Sequence, residues 1–561
     1  MRVVLNAGQM RKCDNYTSEH FGIDSAVLME RAALATFISV CNLGEMFEDT
    51  RTLVVCGTGN NGADGLALAR ILFEGGYSGD FCIPFDDGRH SALFDRQLDT
   101  LEKYGLTPVE FGGLRDEYDI IVDAVFGTGL SRALSPERAA LIEKLNSFGG
   151  LHVAMDIPSG INADTGEVMG AAFEADLTVT YGFAKRGLVL DPGRIYAGKL
   201  LIANIGITDK SLECLGDEKQ PGDMPDPVLT GLPRVMETED LLRNLPVRPA
   251  DGNKGTFGKV LIFAGSEEIS GACVLSSLAA FKTGSGMVKV ITNRANADII
   301  KKTLPEAMVT SVDPRGSDTD RAYPEGECGK NTGKSIYERL DADLGWADVI
   351  LAGPGIGTDA GAKELLTYIL DNSGDKPMVI DADGLNIIST DSLLKEKTAR
   401  RKGFTALTPH IEELSRLTGK TAGELKSGII EEAADYAALN NVCLVAKDSV
   451  TTVTDGKKTV LVTCGNSGMA TAGSGDVLAG VIAAMLGNVV GIEKSGRTFN
   501  PVGAESNPEY TDKLLRAVES AVYLHGIAGS ACLESMAEDS VTAGDIIVSL
   551  QRVLKQIRDS R

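Results

Sequence analysis

Residues 471–480 read TAGSGDVLAG and carry more information than any other segment of the chain. Small residues precede an apolar run, a pattern that predicts a loop followed by a helix beginning near Val477. The N–H groups in the first turn of such a helix form a site for an anion. Asp476 falls within that turn, where it could cap the helix or accept a proton from a hydroxyl group that attacks a phosphoryl group.

Short β-prone runs alternate with helical stretches along the whole chain. This alternation predicts βαβ units and parallel sheets, in which ligands bind at the carboxyl ends of the strands. The predicted strands are residues 52–56, 120–122, 152–155 and 177–181 in the first half, and residues 259–264, 288–292, 349–352, 378–381, 405–408 and 442–446 in the second half.

Polar and glycine-rich motifs follow several strands of the second half. Residues 353–357 (GPGIG), 381–386 (DADGLN) and 408–410 (TPH) each end a predicted strand or follow one, as does Lys447. The lysine could present a cation to phosphate groups. His410 taken alone is more often a structural, hydrogen-bonded residue. Together with the TAGSGD motif, these segments predict a nucleotide site.

A second group of motifs follows the strands of the first half. Residues 56–65 (CGTGNNGADG) follow one strand and predict a loop before a helical stretch at residues 66–74. Asp123 and Asp156 each end a strand and precede a glycine-rich loop. An ordinary turn remains the alternative for the first motif, and helix capping remains the alternative for either aspartate alone. All three at one sheet edge indicate a ligand site. Lys185 could neutralise a phosphate or could be a solvated surface side chain.

Composition excludes several classes of function. The 55 Lys and Arg residues against 78 Asp and Glu residues give a net charge of −23, which does not fit a nucleic-acid or anionic membrane partner. The ten cysteines form no CxxC pair, and several lie in strand-like runs, as expected for buried thiols in the cytoplasm. The longest uncharged apolar run, residues 477–492, is too short to span a membrane and predicts a buried helix.

Composition also suggests the domain boundaries. Residues 216–234 are rich in proline, glycine and charge, which predicts a linker between domains at 1–215 and 235–561. Residues 313–334 and 491–513 are polar and rich in turn-forming residues, and they predict two loop insertions.

The first domain resembles the NAD(P)H-hydrate epimerase (YjeF N-terminal) family over roughly residues 1–210, through NNGADG at 60–65, the Asp123 motif, DIPSG at 156–160 and Lys185. The family usually has glycine in place of Ala63, and a positive φ there would cost on the order of 1 kcal/mol. The resemblance implies interconversion of the R and S hydrates of NADH and NADPH, with Asp156 as the acid/base. It also implies a potassium ion held by Asn61, Asp123 and Ser159. The hydrate-binding residues implied are Asn60, Asn61, Gly62, Ala63, Asp64, Gly127, Thr128, Gly129, Leu130, Ser131, Arg132 and Ala133.

The second domain resembles the ADP/ATP-dependent NAD(P)H-hydrate dehydratases of the ribokinase-like superfamily over roughly residues 235–561. The resemblance rests on KGTFG at 254–258 together with the GPGIG, TPH and GSGD motifs. It implies Mg²⁺, ADP as co-substrate with ATP as the alternative, and Asp476 as the catalytic residue. The implied hydrate-binding residues are Ala272, Gly357 and His410, and the implied nucleotide-binding residues are Lys447, Asp448, Ser449, Val450, Thr451, Asn466, Gly473, Ser474 and Gly475.

These resemblances imply an α/β protein with two three-layer αβα domains, the first Rossmann-like and the second ribokinase-like. The expected function is bifunctional repair of hydrated NAD(P)H (NADHX and NADPHX) by an isomerase and a lyase. A ribokinase-like small-alcohol kinase and a merely ligand-binding first domain are the alternatives. We expect a cytoplasmic homo-oligomer with small-molecule substrates and no nucleic-acid or membrane partner.

Overall fold

The computed structural model describes residues 1–42, 49–86, 88–115, 117–216, 231–312, 336–497 and 510–560. The chain divides into two compact units, one of residues Arg2–Pro233 and one of residues Arg234–Arg561 with Met1. Most of the predicted linker at 216–234, all of the predicted insertion at 313–334 and the middle of the one at 491–513 lie outside the described residues.

The N-terminal unit is built on a parallel sheet of six strands in the order β3-β2-β4-β5-β6-β8. The short strands β1 and β7 form a separate parallel pair. The strands are β1 Arg2–Leu5, β2 Arg51–Cys56, β3 Ser78–Cys82, β4 Ile120–Ala124, β5 Leu151–Met155, β6 Leu177–Tyr181, β7 Ala184–Lys185 and β8 Lys199–Ala203.

Helices cover both faces of this sheet. Alternate residues of β2 point to opposite faces, so Val54 packs into one apolar cluster and Val55 into another. The first cluster includes residues of α1, α2 and α3, and the second includes residues of α5, which gives the unit three layers. The helices are α1 Ala7–His20, α2 Ser25–Asn42, α3 Asn60–Glu74, α4 Ala92–Lys103, α5 Pro136–Asn146 and α6 Gly193–Tyr196.

The C-terminal unit contains a larger mixed sheet in the order β12-β11-β10-β13-β14-β15-β16-β17-β18-β9. Its pairs are parallel except for β16–β17 and β17–β18, which are antiparallel. The strands are β9 Arg234–Val235, β10 Lys259–Phe263, β11 Met287–Thr292, β12 Met308–Ser311, β13 Val349–Ala352, β14 Met378–Ile380, β15 Thr405–Leu407, β16 Cys443–Ala446, β17 Thr451–Thr454 and β18 Thr459–Val462.

The helix that follows the TAGSG residues forms the centre of the largest apolar cluster in this unit, between α8 and α18. It is long and apolar enough to cross a membrane, but 89% of its most apolar stretch is buried inside the protein, which confirms the prediction of a buried helix. The helices are α7 Thr238–Asn244, α8 Gly271–Thr283, α9 Arg294–Thr303, α10 Ile336–Trp346, α11 Ala360–Asn372, α12 Asp383–Ser389, α13 Ser392–Ala399, α14 Ile411–Thr418, α15 Ala422–Ser427, α16 Ile429–Asn440, α17 Ser474–Lys494, α18 Tyr510–Cys532 and α19 Ala543–Asp559.

Two helices extend further than the sequence pattern indicates. α3 begins at Asn60 and α17 at Ser474, so both glycine-containing motifs form the first turns of helices rather than the loops before them. The prediction of a loop at 491–513 is wrong at both ends, since residues 491–494 belong to α17 and residues 510–513 to α18. The polar composition of this stretch is typical of a loop, but the helices continue into it because residues such as Ile492 are buried.

The start of α3 yields a test of this packing. A Cβ atom on Gly62 would stand 1.7 Å from the carbonyl oxygen of Gly57, so Gly62→Ala must displace backbone and should destabilise the N-terminal unit by about 1–3 kcal/mol. Denaturant unfolding followed by circular dichroism measures this change. The matched control is Gly149→Ala, because a Cβ there meets no atom within 4 Å. Equal losses in both variants would contradict the prediction, and the fluorescence of Trp346 in the C-terminal unit should not respond to either.

Candidate functional site

A cavity of about 970 Å³ lies where the strands of the N-terminal sheet end. It is lined by residues that follow β2, β4 and β5, by the first turns of α3 and by residues of α1 and α2. Gly62, Ala63 and Ala133 of the predicted set do not line it. The predicted residues that do are Asn60, Asn61, Asp64, Gly127, Thr128, Gly129, Leu130, Ser131, Arg132 and Asp156.

Asp156 occupies this cavity in a strained backbone conformation, with a φ of 64°. Its carboxylate accepts a hydrogen bond of 2.5 Å from Lys185 Nζ. The same ammonium donates to Thr180 Oγ1 at 2.9 Å and to the carbonyl oxygen of Tyr181 at 3.1 Å. Lys185 is 1% exposed, so the interpretation as a solvated surface lysine is wrong, because three oxygens enclose its charge.

Two further carboxyl groups line the cavity that holds this ion pair. They belong to Asp14 and Asp64. Burial raises the pKa of Asp64 well above its usual value, and repulsion by Asp156 and Asp14 adds to the shift, while Lys185 opposes it. Burial and repulsion by Asp156 also raise the pKa of Asp14. The cluster therefore places two carboxyl groups of raised pKa beside an ion-paired one.

The three predicted potassium ligands lie together at the end of β4. The buried Asp123 carboxylate accepts bonds from Ser159 N at 2.7 Å and Ser159 Oγ at 2.6 Å, and burial raises its pKa to about 6. Asn61 Nδ2 donates to the carbonyl oxygen of Phe126 at 3.1 Å. Asn61 Oδ1 is buried and has no hydrogen-bond partner in the part of the chain that the structure describes. Buried oxygen donors with one unsatisfied atom fit a hard cation.

Ala63 carries none of the strain that a positive φ would impose. It lies within α3 and is absent from the positive-φ residues among the described ranges, and its methyl group is fully buried in the apolar cluster. The cost of about 1 kcal/mol expected for a positive φ at Ala63 therefore does not arise, because the helix starts before this residue rather than after it.

The candidate site of the C-terminal unit is the first turn of α17. Gly473 precedes the helix with a φ of 90°, and no side chain caps the helix. The capping interpretation of Asp476 is therefore wrong, which leaves its carboxylate available. Burial, followed by repulsion from Asp381, raises the pKa of Asp476 to about 7, and the charge of Lys447 acts in the opposite direction.

An ion pair between the buried Asp381 and the half-buried Lys447 lies beside this turn. Lys447 Nζ donates to Asp381 Oδ1 at 2.9 Å, and Thr408 Oγ1 donates to the same oxygen at 2.7 Å. A Cβ atom on Gly475 would stand 3.4 Å from Lys447 Nζ. Asp381, Lys447 and the glycine-rich turn thus meet at one place, as the predicted positions at strand ends require.

A second strained residue lies between two carboxylates of this site. Ala382 has a φ of 50°, and its neighbours are Asp381 and Asp383. Asp383 Oδ2 accepts a hydrogen bond of 2.9 Å from the N–H of Gly357, which brings the GPGIG motif to the same edge. Ala272 lies in α8, where its Cβ would be 2.9 Å from a Cβ on Gly355 of that motif.

His410 has a structural role in the described fold. Its Nδ1 accepts hydrogen bonds from the N–H groups of Glu412 at 3.2 Å and Glu413 at 3.4 Å and so caps α14. The side chain remains half-exposed, and its Nε2 lies 3.5 Å from Glu413 Oε1.

The remaining predicted nucleotide-binding residues lie in two turns. Residues 448–450 connect β16 to β17, and Thr451 is the first residue of β17. Asn466 Nδ2 donates to the carbonyl oxygen of Gly529 at 2.9 Å, while its buried Oδ1 has no partner among the described residues.

Comparisons with known proteins cover both units. Residues 25–187 match the family described as YjeF-related protein N-terminus, and residues 260–552 match the family described as NAD(P)H-hydrate dehydratase. A bifunctional NAD(P)H-hydrate repair enzyme of Thermofilum pendens is 31% identical over 99% of this chain and 97% of its own length. One of Moorella thermoacetica is 32% identical over the same shares.

The chain belongs to the bifunctional NAD(P)H-hydrate repair enzyme family. The resemblance inferred from the motifs is confirmed in both halves. A solved ADP/ATP-dependent NAD(P)H-hydrate dehydratase of Bacillus subtilis, co-crystallised with ATP and Mg²⁺, is 26% identical with a TM-score of 0.44, over 58% of this chain and 98% of that one.

Two residues that lie at these sites are not identified by any sequence motif. Asp14 lies on α1, far along the chain from the other cavity carboxylates, and no motif marks it. His525 of α18 is buried, with Nε2 3.5 Å from Ser474 Oγ. Burial, then the charge of Lys447, lowers the pKa of His525 to about 4, which keeps the ring neutral beside the α17 turn. A single histidine inside an apolar helix gives no spacing signal.

The strain at Ala382 gives the test for this region. Glycine accepts a positive φ without a clash, so Ala382→Gly should stabilise the C-terminal unit by on the order of 1 kcal/mol in denaturant unfolding followed through Trp346 fluorescence. The matched control is Ala434→Gly inside α16, which should lose about 1 kcal/mol. A loss of equal size in both variants would show that the backbone at Ala382 is unstrained.

Proposed function

We propose that this chain repairs hydrated NADH and NADPH through two activities. Its N-terminal unit interconverts the R and S hydrates, and its C-terminal unit dehydrates the S hydrate with ADP to give NAD(P)H, AMP and phosphate. The observation that carries the proposal is the presence in one chain of two strand-end carboxylate sites. Relatives named as bifunctional repair enzymes match over 99% of the chain, which supports the pairing.

In the epimerase unit, Asp156 would move the proton that the reaction requires. Inversion at a hemiaminal carbon needs transient loss of the hydroxyl group or opening of the ring, and a positioned carboxyl group can donate and recover that proton. Lys185 supplies the countercharge and holds Asp156 Oδ1 by a 2.5 Å bond. Burial raises the pKa values of Asp64 and Asp14 in the same cavity, which makes these two carboxyl groups easier to protonate than free aspartates.

Potassium is part of the proposed epimerase site. Asn61, Asp123 and Ser159 would hold it, and the unsatisfied Asn61 Oδ1 supports this assignment. When bound, the ion would supply a fixed positive charge next to the dinucleotide. Asp123 and Ser159 also tie the loop after β4 to the loop after β5 through their two hydrogen bonds.

In the dehydratase unit, Asp476 would accept the proton of the C6 hydroxyl group as its oxygen attacks the terminal phosphoryl group of ADP. The uncapped N–H groups of the α17 turn would stabilise the transferred charge. Mg²⁺ bound with the nucleotide would neutralise phosphate charge, and the carboxylates of Asp476 and Asp383 are the hard oxygen donors at this edge. Phosphate then leaves from C6, C5 loses a proton, and the dihydropyridine ring is restored.

The alternative functions make different use of the two sites. A small-alcohol kinase would use the α17 site alone and would form a stable phosphate ester. A merely binding N-terminal unit would not need the ion pair at Asp156. A cytoplasmic location is also part of the proposal, because all nine cysteines in the described ranges are free thiols.

Two variants of the full chain separate the activities and control for each other. With a mixture of R and S NADH hydrates, ADP, Mg²⁺ and K⁺, Asp156→Asn should slow epimerisation by about 10²–10⁴-fold, the usual contribution of a general acid/base. Recovery of the dihydronicotinamide absorbance should then stop at the S fraction. Asp476→Asn should instead abolish recovery and AMP formation while epimerisation continues.

Complete recovery by Asp156→Asn at the wild-type rate would reduce the N-terminal unit to a binding module. No recovery by the wild-type chain with either ADP or ATP would overturn the repair function and favour the kinase.

The raised pKa of Asp476 predicts the pH dependence of dehydration. Only the ionised carboxylate accepts a proton, so kcat/KM for the S hydrate should rise with pH and reach half its plateau near the pKa of about 7. Lys447→Met removes a charge that lowers this pKa, and the rising limb should therefore move to higher pH. A profile that stays flat from pH 5 to 9 would remove Asp476 from the role of base.

A further inference from the structure

The cavity of the N-terminal unit crosses the sheet edge from one helical layer to the other. Met10 and Leu28, on its walls, belong to the apolar cluster of α1, α2 and α3. Phe85 and Phe126, also on its walls, pack against the opposite cluster, which contains α5. The ligand space therefore has two chemically different ends.

Arg138 of α5 lies at the second end between two aromatic rings. Its guanidinium carbon is 5.8 Å from the ring centre of Phe85 and 5.6 Å from that of Phe126. The side chain is partly buried and lines the cavity, and no hydrogen bond or ion pair of its guanidinium is recorded among the described residues. This chain has a surplus of carboxylates, yet no carboxylate among the described residues pairs with Arg138. An arginine held by aromatic faces alone keeps its five N–H donors for a ligand.

The first end of the cavity is electrostatically unfavourable for the anionic part of a dinucleotide. Asp14, Asp64 and Asp156 line it, and the charge of Lys185 is already used by Asp156 and two other oxygens. A phosphate placed there would face three carboxylates at close range, and Arg11 of α1, which also lines the cavity, has an exposed side chain that no aromatic ring of the described residues holds in place. We therefore expect a substrate with its hydrated nicotinamide at Asp156 to extend its phosphates toward the second end.

We propose that Arg138, held between Phe85 and Phe126, binds a phosphate group of the hydrated dinucleotide. The proposal rests on the epimerase function proposed above and adds a specificity residue to it. Guanidinium matches the oxygens of phosphate in a bidentate arrangement, and the two rings fix its orientation before the ligand arrives. The phosphate is either the diphosphate common to both hydrates or the additional ribose phosphate of NADPHX, and the experiment distinguishes these sources.

The test compares Arg138→Met with Arg138→Lys in the full chain, with Arg96→Met as control. Arg96 is an exposed residue of α4 that does not line the cavity. Initial rates of epimerisation are measured separately with R-NADHX and R-NADPHX. We expect Arg138→Met to raise KM by about tenfold to a hundredfold with kcat nearly unchanged, because a hydrogen bond to a charged group contributes about this much binding. The KM of Arg138→Lys should lie between those of the wild type and Arg138→Met, and the KM of Arg96→Met should match that of the wild type.

A second readout does not depend on activity. NADP⁺ and NAD⁺ should raise the denaturant midpoint of the N-terminal unit, followed by circular dichroism, because a ligand stabilises the state that binds it. Arg138→Met should lose most of that increase while its ligand-free midpoint stays near the wild-type value. If Arg138→Met unfolds without ligand, Arg138→Lys provides the same comparison with the charge retained.

The outcomes separate the two proposals. A larger KM for both hydrates assigns the diphosphate to Arg138, and an effect on NADPHX alone assigns the ribose phosphate. Unchanged KM values and unchanged stabilisation by NADP⁺ overturn the role of Arg138 while the epimerase function stands. Loss of NADP⁺ stabilisation in a chain whose wild type does not epimerise would retain the phosphate site and reject the epimerase function.

Discussion

Both units depend on direct backbone contact between neighbouring loops at the ends of their strands. A Cβ atom on Gly57, after β2, would stand 2.0 Å from the carbonyl oxygen of Val125, after β4. A Cβ atom on Gly353, after β13, would stand 1.9 Å from the carbonyl oxygen of Asp381, after β14. Only glycine permits this approach. The contacts bring the glycine-containing loops after β2 and β13 against the ends of the strands that carry Asp123 and Asp381, and larger residues at these two positions would separate them.

The close approach of carboxylates creates an electrostatic problem that the two units solve in the same way. Each has one lysine paired with one strand-end aspartate, the buried Lys185 with Asp156 and the half-buried Lys447 with Asp381. The lysine charge cannot neutralise every neighbour, so burial and repulsion raise the pKa of another carboxyl group in each site. A carboxyl group of raised pKa in each site is thus a consequence of the charge balance, and for Asp476 the pKa is about 7.

The central strands and much of both candidate sites can be predicted from the sequence. Strands such as β2 and β13 are uninterrupted apolar runs buried on both faces, so their positions can be read from composition alone. The antiparallel strands β17 and β18 were missed because short, Thr-rich runs also resemble turns. The start of α3 was misplaced because asparagine and glycine favour turns locally, whereas Gly62 and Ala63 are buried by tertiary packing. Residues brought in from distant helices, Asp14 and His525, left no local pattern at all.

Strain at the two sites follows from the same geometry. Asp156 and Ala382 are two of the three non-glycine residues with positive φ in the described ranges, and both come directly after a parallel strand, or one residue beyond it. An extended chain that continued straight would carry its next side chain away from the sheet edge. The turn at Asp156 directs its carboxylate to Lys185 on β7, and the turn at Ala382 allows Asp381 and Asp383 to face different partners. Such conformations cost about 1–3 kcal/mol each, and they persist because the strands before them are fully buried. The apolar core therefore contributes to function by holding two backbone turns that the local sequence would not choose.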